Sequence, residues 1–518
     1  MTVNKRIKTT AFLLGALLAA GSVTSCAKEK AKEAPKEEEI TETMDLSVDL
    51  DAFDKSKYSA GISVHDPSVY KDGDRYYIVG THMTMAYSDN LKTWAYSGNG
   101  YSSTNKVFGS LFTDESGEVF RFTGKKESIV PTDDKRCHLW APDIIYNKAM
   151  GKYCMYYCTS STWNASTLEF AVSDTIDGKY EYAGSLIYSG LTRTNYKETD
   201  VLDYVDESFV KKNYLKPDGT YNFSLYPNAL DPTVFYDKDG RLWMVYGSWS
   251  GGIFLLELDE ETGMVIHPEA NPETETDAYY GKKLMGGGHK SIEGPYIIYD
   301  PDSDYYYLFV SYGELTCDGG YQIRVFRSKE VNGDYVDMLG EKPKYVDNDH
   351  SKYGLKLSGN YNLPSLSKAY KATGHNSAII DSDGKKYIVY HTRFEGMGEM
   401  HEPRVKQYFL NAKGWPVMLP FITDGEEISE TGYGKEETDG RYYVVRSGSD
   451  ISSEVKEPEI VYLSEDTYKA DEGSYYMSIT LDGITYDGVF CRQKDEAGNE
   501  VMCFSVVGGN QSIWGVKY

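Results

Sequence analysis

The chain has 518 residues and a net charge of −25, which argues against nucleic acid or an anionic membrane surface as partner and leaves neutral ligands as the compatible class. Its 47 tyrosines, 18 phenylalanines and 7 tryptophans suit a strand-rich protein with flat rings available for sugar faces, although most of the tyrosines must simply fill strand positions. Seven cysteines without a Cys-x-x-Cys pair supply neither a redox nor a zinc motif.

At the N-terminus, Lys5, Arg6 and Lys8 precede an apolar run over residues 11–20, followed by Gly-Ser-Val-Thr-Ser and Cys26. A basic region, a short apolar region and small residues make a secretory signal, and the apolar run is too short to cross a bilayer as a helix. A cysteine directly after the small residues resembles a lipoprotein cleavage site. Residues 1–26 are therefore read as the signal, with Cys26 as the lipidated first residue. Residues 27–57 are read as a charged tether, because 27–44 are dense in Lys and Glu and lack aromatic residues. A charged segment at this place also resembles the export signal of surface lipoproteins.

From residue 58 one unit recurs: a polar lead residue, a strand, a turn bearing Gly or Asp, and an aromatic-rich return strand. It occurs at 66–70 with 75–80, at 142–146 with 152–158, at 231–236 with 242–247, at 293–298 with 305–311, and at 375–380 with 386–391. The third copy turns on Asp237-Lys238-Asp239-Gly240, a hairpin signal because Asp and Gly tolerate the turn dihedrals. Five copies of one hairpin predict an all-β fold, a five-bladed β-propeller over residues 58–420, with Trp415-Pro416-Val417 as its last turn and strand. Residues 425–518 carry short alternating strands at 442–445, 459–463, 475–481, 489–493 and 501–506, the pattern of a small antiparallel barrel or sandwich in an accessory role. Cys154 and Cys158 lie four positions apart on one strand, too far to bridge, and no disulfide framework is expected.

In a propeller the innermost strands converge on the axis, so their opening residues line one funnel. Those residues are Asp66, Ala141, Asp231, Glu293 and His375, and three of them are carboxylates. Glu293 stands one residue earlier relative to its proline than the two aspartates do, which aims it differently. Acids gathered without local Arg or Lys partners repel one another, and some acquire raised pKa values. The set suits glycoside hydrolysis, in which one acid protonates the leaving oxygen while a base activates water on the opposite face, roughly 6.5–9.5 Å away in the inverting arrangement. One Asp-Pro often only caps a strand entrance; three acids at matching places of a repeat point to a site.

The segments Val-His-Asp-Pro-Ser-Val (64–69), Trp-Ala-Pro-Asp-Ile (140–144), Asn-Ala-Leu-Asp-Pro (228–232), Tyr-Gly-Ser-Trp-Ser-Gly-Gly-Ile (246–253), Ile-Glu-Gly-Pro-Tyr-Ile (292–297) and Gly-His-Asn-Ser (374–377) occur in order. Together they resemble glycoside hydrolase family 43, most closely its endo-α-1,5-L-arabinanases, over residues 60–420. The resemblance implies an inverting enzyme with Asp66 as general base, Glu293 as general acid, and Asp231 as a fixed anion that raises the pKa of Glu293 and holds it in place. It implies that His375 contacts a single hydrated metal ion on the propeller axis. One protein ligand leaves the ion most of its waters, which suits a hard cation, calcium above all. His391 is then either a packed inner residue or an ion or substrate contact. Substrate contacts implied are Asp66, Asn228, Asp231, Ser248 and Trp249, with Trp140 presenting its ring to the cleft; both tryptophans have inter-blade packing as their alternative.

The expected protein is an exported, lipid-anchored enzyme of the cell surface or outer membrane that cleaves internal bonds of arabinan or arabino-oligosaccharides. It would touch the membrane only through its lipid and bind no nucleic acid. The C-terminal module and the insertion over 195–226 depart from the shorter arabinanases, which leaves an exo-acting α-L-arabinofuranosidase or β-xylosidase of the same family as the alternative. A non-catalytic glycan-binding lipoprotein would lack an acid at one lead position, and none is lacking.

Overall fold

The hairpins close on carboxylates that stand in for backbone acceptors. Asp237 Oδ1 accepts the backbone N–H groups of Asp239 and Arg241, each at 2.9 Å, and its Oδ2 accepts the Trp243 indole N–H at 2.9 Å. Gly240 supplies the left-handed residue that such a turn requires, at φ 86°. The flanking strands Thr233–Tyr236 and Leu242–Tyr246 then pair antiparallel from Tyr236–Leu242 inward.

The computed structural model describes residues 48–518 except 99, 101–103, 114–116, 125–136, 162–164, 346, 348, 465 and 471–472. The expected signal, Cys26 and most of the tether lie outside the described residues. From residue 68 onward, four-stranded antiparallel sheets follow one another along the chain. Blade 1 comprises Ser68–Asp72, Arg75–Gly80, Thr84–Ser88 and Ala95–Gly98, and blade 2 Cys137–Asn147, Lys152–Ser161, Ala165–Ser173 and Glu181–Ser189. Blade 3 is Thr233–Tyr236, Leu242–Tyr246, Ile253–Leu258 and Gly281–Met285, with two short strands added at its outer side. Blade 4 holds Ile292–Asp300, Tyr305–Tyr312, Gln322–Ser328 and Leu355–Ser358; blade 5 holds Tyr370–Ile380, Lys386–Phe394, His401–Leu410 and Pro416–Met418. The described residues thus form the expected five-bladed propeller.

Side chains lace the inner strands into a ring. Ser68 of blade 1 donates to Asp143 of blade 2, whose Oδ2 accepts Val234 N–H of blade 3 at 2.6 Å. Thr233 donates to Pro295 O of blade 4 at 2.8 Å, and Ser311 of blade 4 accepts the His375 N–H of blade 5 at 2.6 Å. Ser377 of blade 5 returns to blade 1, accepting Val69 N–H and donating to Pro67 O. Between blades the core is aromatic and aliphatic, for example Phe235, Trp243, Ile297 and Tyr306 between blades 3 and 4. Burying such side chains is worth roughly 1.5–3 kcal/mol each, which is where the tyrosine surplus is used.

Residues 440–517 form one seven-stranded antiparallel sheet. Val489, Cys491, Cys503, Trp514 and Val516 on one face share a core with Leu355, Leu357, Val417 and Met418 of blades 4 and 5, and the Trp514 indole donates to Met418 O at 2.6 Å. The sheet therefore buttresses the two blades that carry Glu293 and His375. Its strand Gln511–Lys517 escapes the sequence pattern because Gly515 interrupts the apolar run; the Phe504 ring fills that gap, lying 2.0 Å from where a Cβ would stand. Cys154, Cys158, Cys317, Cys491 and Cys503 are buried free thiols.

Candidate active site

The same left-handed kink recurs in all five blades, just before the inner strand in blades 1 and 3 and within it in blades 2, 4 and 5. Asp66 (φ 55°), Ala141 (39°), Asp231 (54°) and His375 (47°) take it in blades 1, 2, 3 and 5, and Gly294 (56°) takes it in blade 4. The one-residue offset of Glu293 thus has a structural cause: glycine holds the kink and the acid precedes it. Glycine suits the place, since an added Cβ would press on the His375 ring at 3.0 Å. For the other four, a left-handed backbone costs about 1–3 kcal/mol, strain that is characteristic of functional sites.

Asp66 is held by its neighbours on every side. Its Oδ1 lies 2.8 Å from His65 Nδ1 and 3.0 Å from His375 Nδ1. The Thr81 hydroxyl donates to its Oδ2 and in turn accepts Ala141 N–H at 2.9 Å. The Asp66 N–H donates to Nδ1 of the fully buried His391 at 3.2 Å. Burial, the largest influence, pushes the Asp66 carboxyl up, but His375 and His65 together outweigh it and hold it well below the usual carboxylate range. Asp66 is therefore anionic, as a base must be. Behind it, Arg393 Nη2 and Nη1 lie 3.3 Å from Nε2 of His65 and of His391, and Arg393 Nε donates to Glu399 at 2.6 Å.

Glu293 is 8% exposed and accepts three hydrogen bonds. Ser248 Oγ and Trp249 Nε1 donate to Oε2 at 3.1 and 2.7 Å, and the Tyr321 hydroxyl donates to Oε1 at 2.7 Å. Burial raises its pKa, His375 and the Tyr321 hydrogen bond oppose that rise, and the Asp66 charge adds to it; the balance is upward. Asp231 Oδ2 accepts Gly294 N–H at 3.1 Å, which ties it to the peptide following Glu293. Its carboxyl is pushed up to about 7, by burial first, against His375, and then by Glu293 and Asp66. Asp231 and Glu293 are thus both raised. Burial is the main cause of the raised Glu293 pKa, and the two acids compete for a proton near neutrality.

The sequence-predicted residues fall into two groups. Asp66, Asp231, Glu293 and His375 come together in one electrostatic cluster; burial pulls the His375 imidazolium down, but the three carboxylates outweigh it and hold it up at about 9. Ser248 and Trp249 join the cluster by holding Glu293. Asn228 is buried behind them, its side-chain amide donating to Ser248 O at 3.1 Å. Trp140 is only partly buried, packed at the edge of the core between blades 2 and 3. Sequence reasoning missed Thr81, Arg393 and Tyr321 altogether and passed over His65, whose place directly before Asp66 was a usable signal.

Among the inner strands lies a cavity of about 10 Å³, the space of one water. Its lining includes the His375 imidazole, the buried Asp143 carboxyl, and Asn376, whose buried Oδ1 has no hydrogen-bond partner among the described residues. These oxygen donors fit a hard cation such as calcium, and the His375 imidazole would join them only on giving up its proton as the ion binds.

Residues 201–416 match the family model described as Glycosyl hydrolases family 43, and residues 420–515 match the model of a C-terminal lipocalin-like domain. The extracellular endo-alpha-(1->5)-L-arabinanase 2 of Bacillus subtilis (strain 168) is 36% identical over 482 residues, covering 88% of this chain and 93% of that protein. The extracellular endo-alpha-(1->5)-L-arabinanase of Thermotoga petrophila is 37% identical over 479 residues, with the same coverage, 88% and 93%. A solved structure of the endo-1,5-alpha-L-arabinanase from Thermotoga petrophila RKU-1 aligns with a TM-score of 0.75 at 36% identity, over 90% of this chain and 100% of that one.

Proposed function

The chain belongs to glycosyl hydrolase family 43, and from that premise we propose that it hydrolyses internal α-1,5-L-arabinofuranosidic bonds of arabinan with inversion. The observation that carries this reading is the gathering of three lead-residue acids at one site, Asp66 against His65 and His375, Asp231 on the Gly294 N–H, and Glu293 under three donors. Asp66 takes a proton from a water as that water attacks the anomeric carbon. Glu293 hands its proton to the departing glycosidic oxygen, its carboxyl fixed by Ser248, Trp249 and Tyr321. Asp231 positions the peptide after Glu293, and its charge keeps the proton on the pair near neutral pH. The names of the long-matching relatives, both endo-acting, support the internal mode. On linear arabinan the expected early products are mixed oligosaccharides. Arabinose alone from the first time point would show the exo-acting alternative instead.

For the metal, His375 with Asn376 and Asp143 would hold a calcium ion. Bound there, the ion supplies positive charge that favours the Asp66 carboxylate. Chelation, or His375→Ala, is expected to lower kcat about 10- to 100-fold with the thermal transition still cooperative. Unchanged activity in both would remove the ion from the reading. Export with acylation at Cys26 completes the proposal; it rests on residues 1–26 and on the extracellular naming of both relatives, and mass spectrometry of the mature N-terminus checks it.

A further inference from the structure

Tyr321 has no place in the sequence pattern, yet it reaches the centre of the site. It lies before the third strand of blade 4, is 0% exposed, and makes the one hydrogen bond that Glu293 Oε1 receives among the described residues, at 2.7 Å. Ser248 and Trp249 both engage the other oxygen, Oε2. Two donors on one oxygen leave the carboxyl free to swing about that anchor; a donor on the second oxygen fixes its plane. Tyr321 itself is fixed by packing. Its ring lies against the Gly374 backbone, where an added Cβ would stand 2.2 Å from the ring, and it stacks near His391 with centroids 5.8 Å apart at 23°. The absence of a side chain before His375, on the neighbouring blade, is thus what admits the ring that steadies Glu293.

We infer that Tyr321 is a positioning residue for proton delivery by Glu293, setting the orientation of the acid toward the leaving oxygen without touching substrate. A phenol suits the task because it donates to the carboxylate and can accept from the acid, so one contact serves both protonation states of Glu293. The inference rests on Glu293 being the general acid.

Leaving-group chemistry separates positioning from general damage. A sugar leaving group needs the acid; 4-nitrophenolate departs nearly unaided. Tyr321→Phe keeps the ring against Gly374 and removes only the hydroxyl. It is expected to lower kcat on linear arabinan about 10- to 100-fold with KM within about twofold. On a 4-nitrophenyl α-arabino-oligosaccharide the loss should stay below about threefold. In a Glu293→Gln background the same change should cost nothing further on arabinan. Gly374→Ala, which displaces the ring, is the second variant and should show the same split. Equal losses on both substrates, an added loss in the Glu293→Gln background, or no loss at all would overturn the inference. If Glu293→Gln itself cleaved arabinan at the wild-type rate, the acid assignment would fail, and not the Tyr321 step alone.

Discussion

Asp66→Asn is expected to lower kcat on arabinan by about a thousandfold, within the 10²–10⁴ range of a lost general base, with KM nearly unchanged. The substitution keeps the size of the side chain and its acceptor toward Thr81 while removing the charge that His65 and His375 now stabilise. Water must still be deprotonated whatever group departs, so the loss should be as large on a 4-nitrophenyl arabino-oligosaccharide as on arabinan. Glu293→Gln should behave differently, losing most of its activity on arabinan and little on the aryl substrate. This contrast separates base from acid more firmly than either loss alone. Wild-type turnover by Asp66→Asn, or a loss confined to arabinan, would reject Asp66 as the base.

The pH profile of kcat/KM is expected to be bell-shaped with its alkaline limb near pH 7. Asp66 is active as the anion and sits well below the usual carboxylate range, so the acid limb falls at low pH. The alkaline limb belongs to the Asp231–Glu293 pair, whose carboxyls are raised, Asp231 to about 7. A raised acid is protonated below its folded pKa, so the active form is lost as pH rises through that value. Asp231→Asn removes a neighbouring negative charge. Glu293 then releases its proton more readily, and the alkaline limb should move to lower pH by about one unit, with activity at pH 7 down about tenfold. A limb that moved upward or stayed in place would show that Asp231 does not act on the proton of Glu293.

Much of this site was readable because repetition converts sequence spacing into spatial coincidence. Asp66, Asp231 and Glu293 stand at matching places of one hairpin, and a hairpin repeated five times around an axis brings its openings together whatever lies between. The offset of Glu293 was visible too, though its cause, Gly294 taking the kink that Asp66 and Asp231 take elsewhere, needed backbone dihedrals. What repetition does not encode stayed hidden. Tyr321 reaches Glu293 from outside the repeat's inner strand, admitted by a bare backbone at Gly374. Arg393 acts through His65 and His391, a task that its sequence neighbour Glu399, which it also binds, does not reveal. Burial in the funnel raises Asp231 as well as Glu293, which no spacing in the sequence encodes. The last strand, Gln511–Lys517, was lost to pattern because Gly515 makes room for Phe504.

The most direct measurement is the ¹H NMR time course of linear arabinan hydrolysis, followed from the first turnovers. An attacking water activated by Asp66 opposite Glu293 must give the β-arabinofuranose reducing end first, with the α anomer growing in only by mutarotation. An α anomer that appears first would mean a covalent intermediate and two displacements, and would contradict the assignment of these acids.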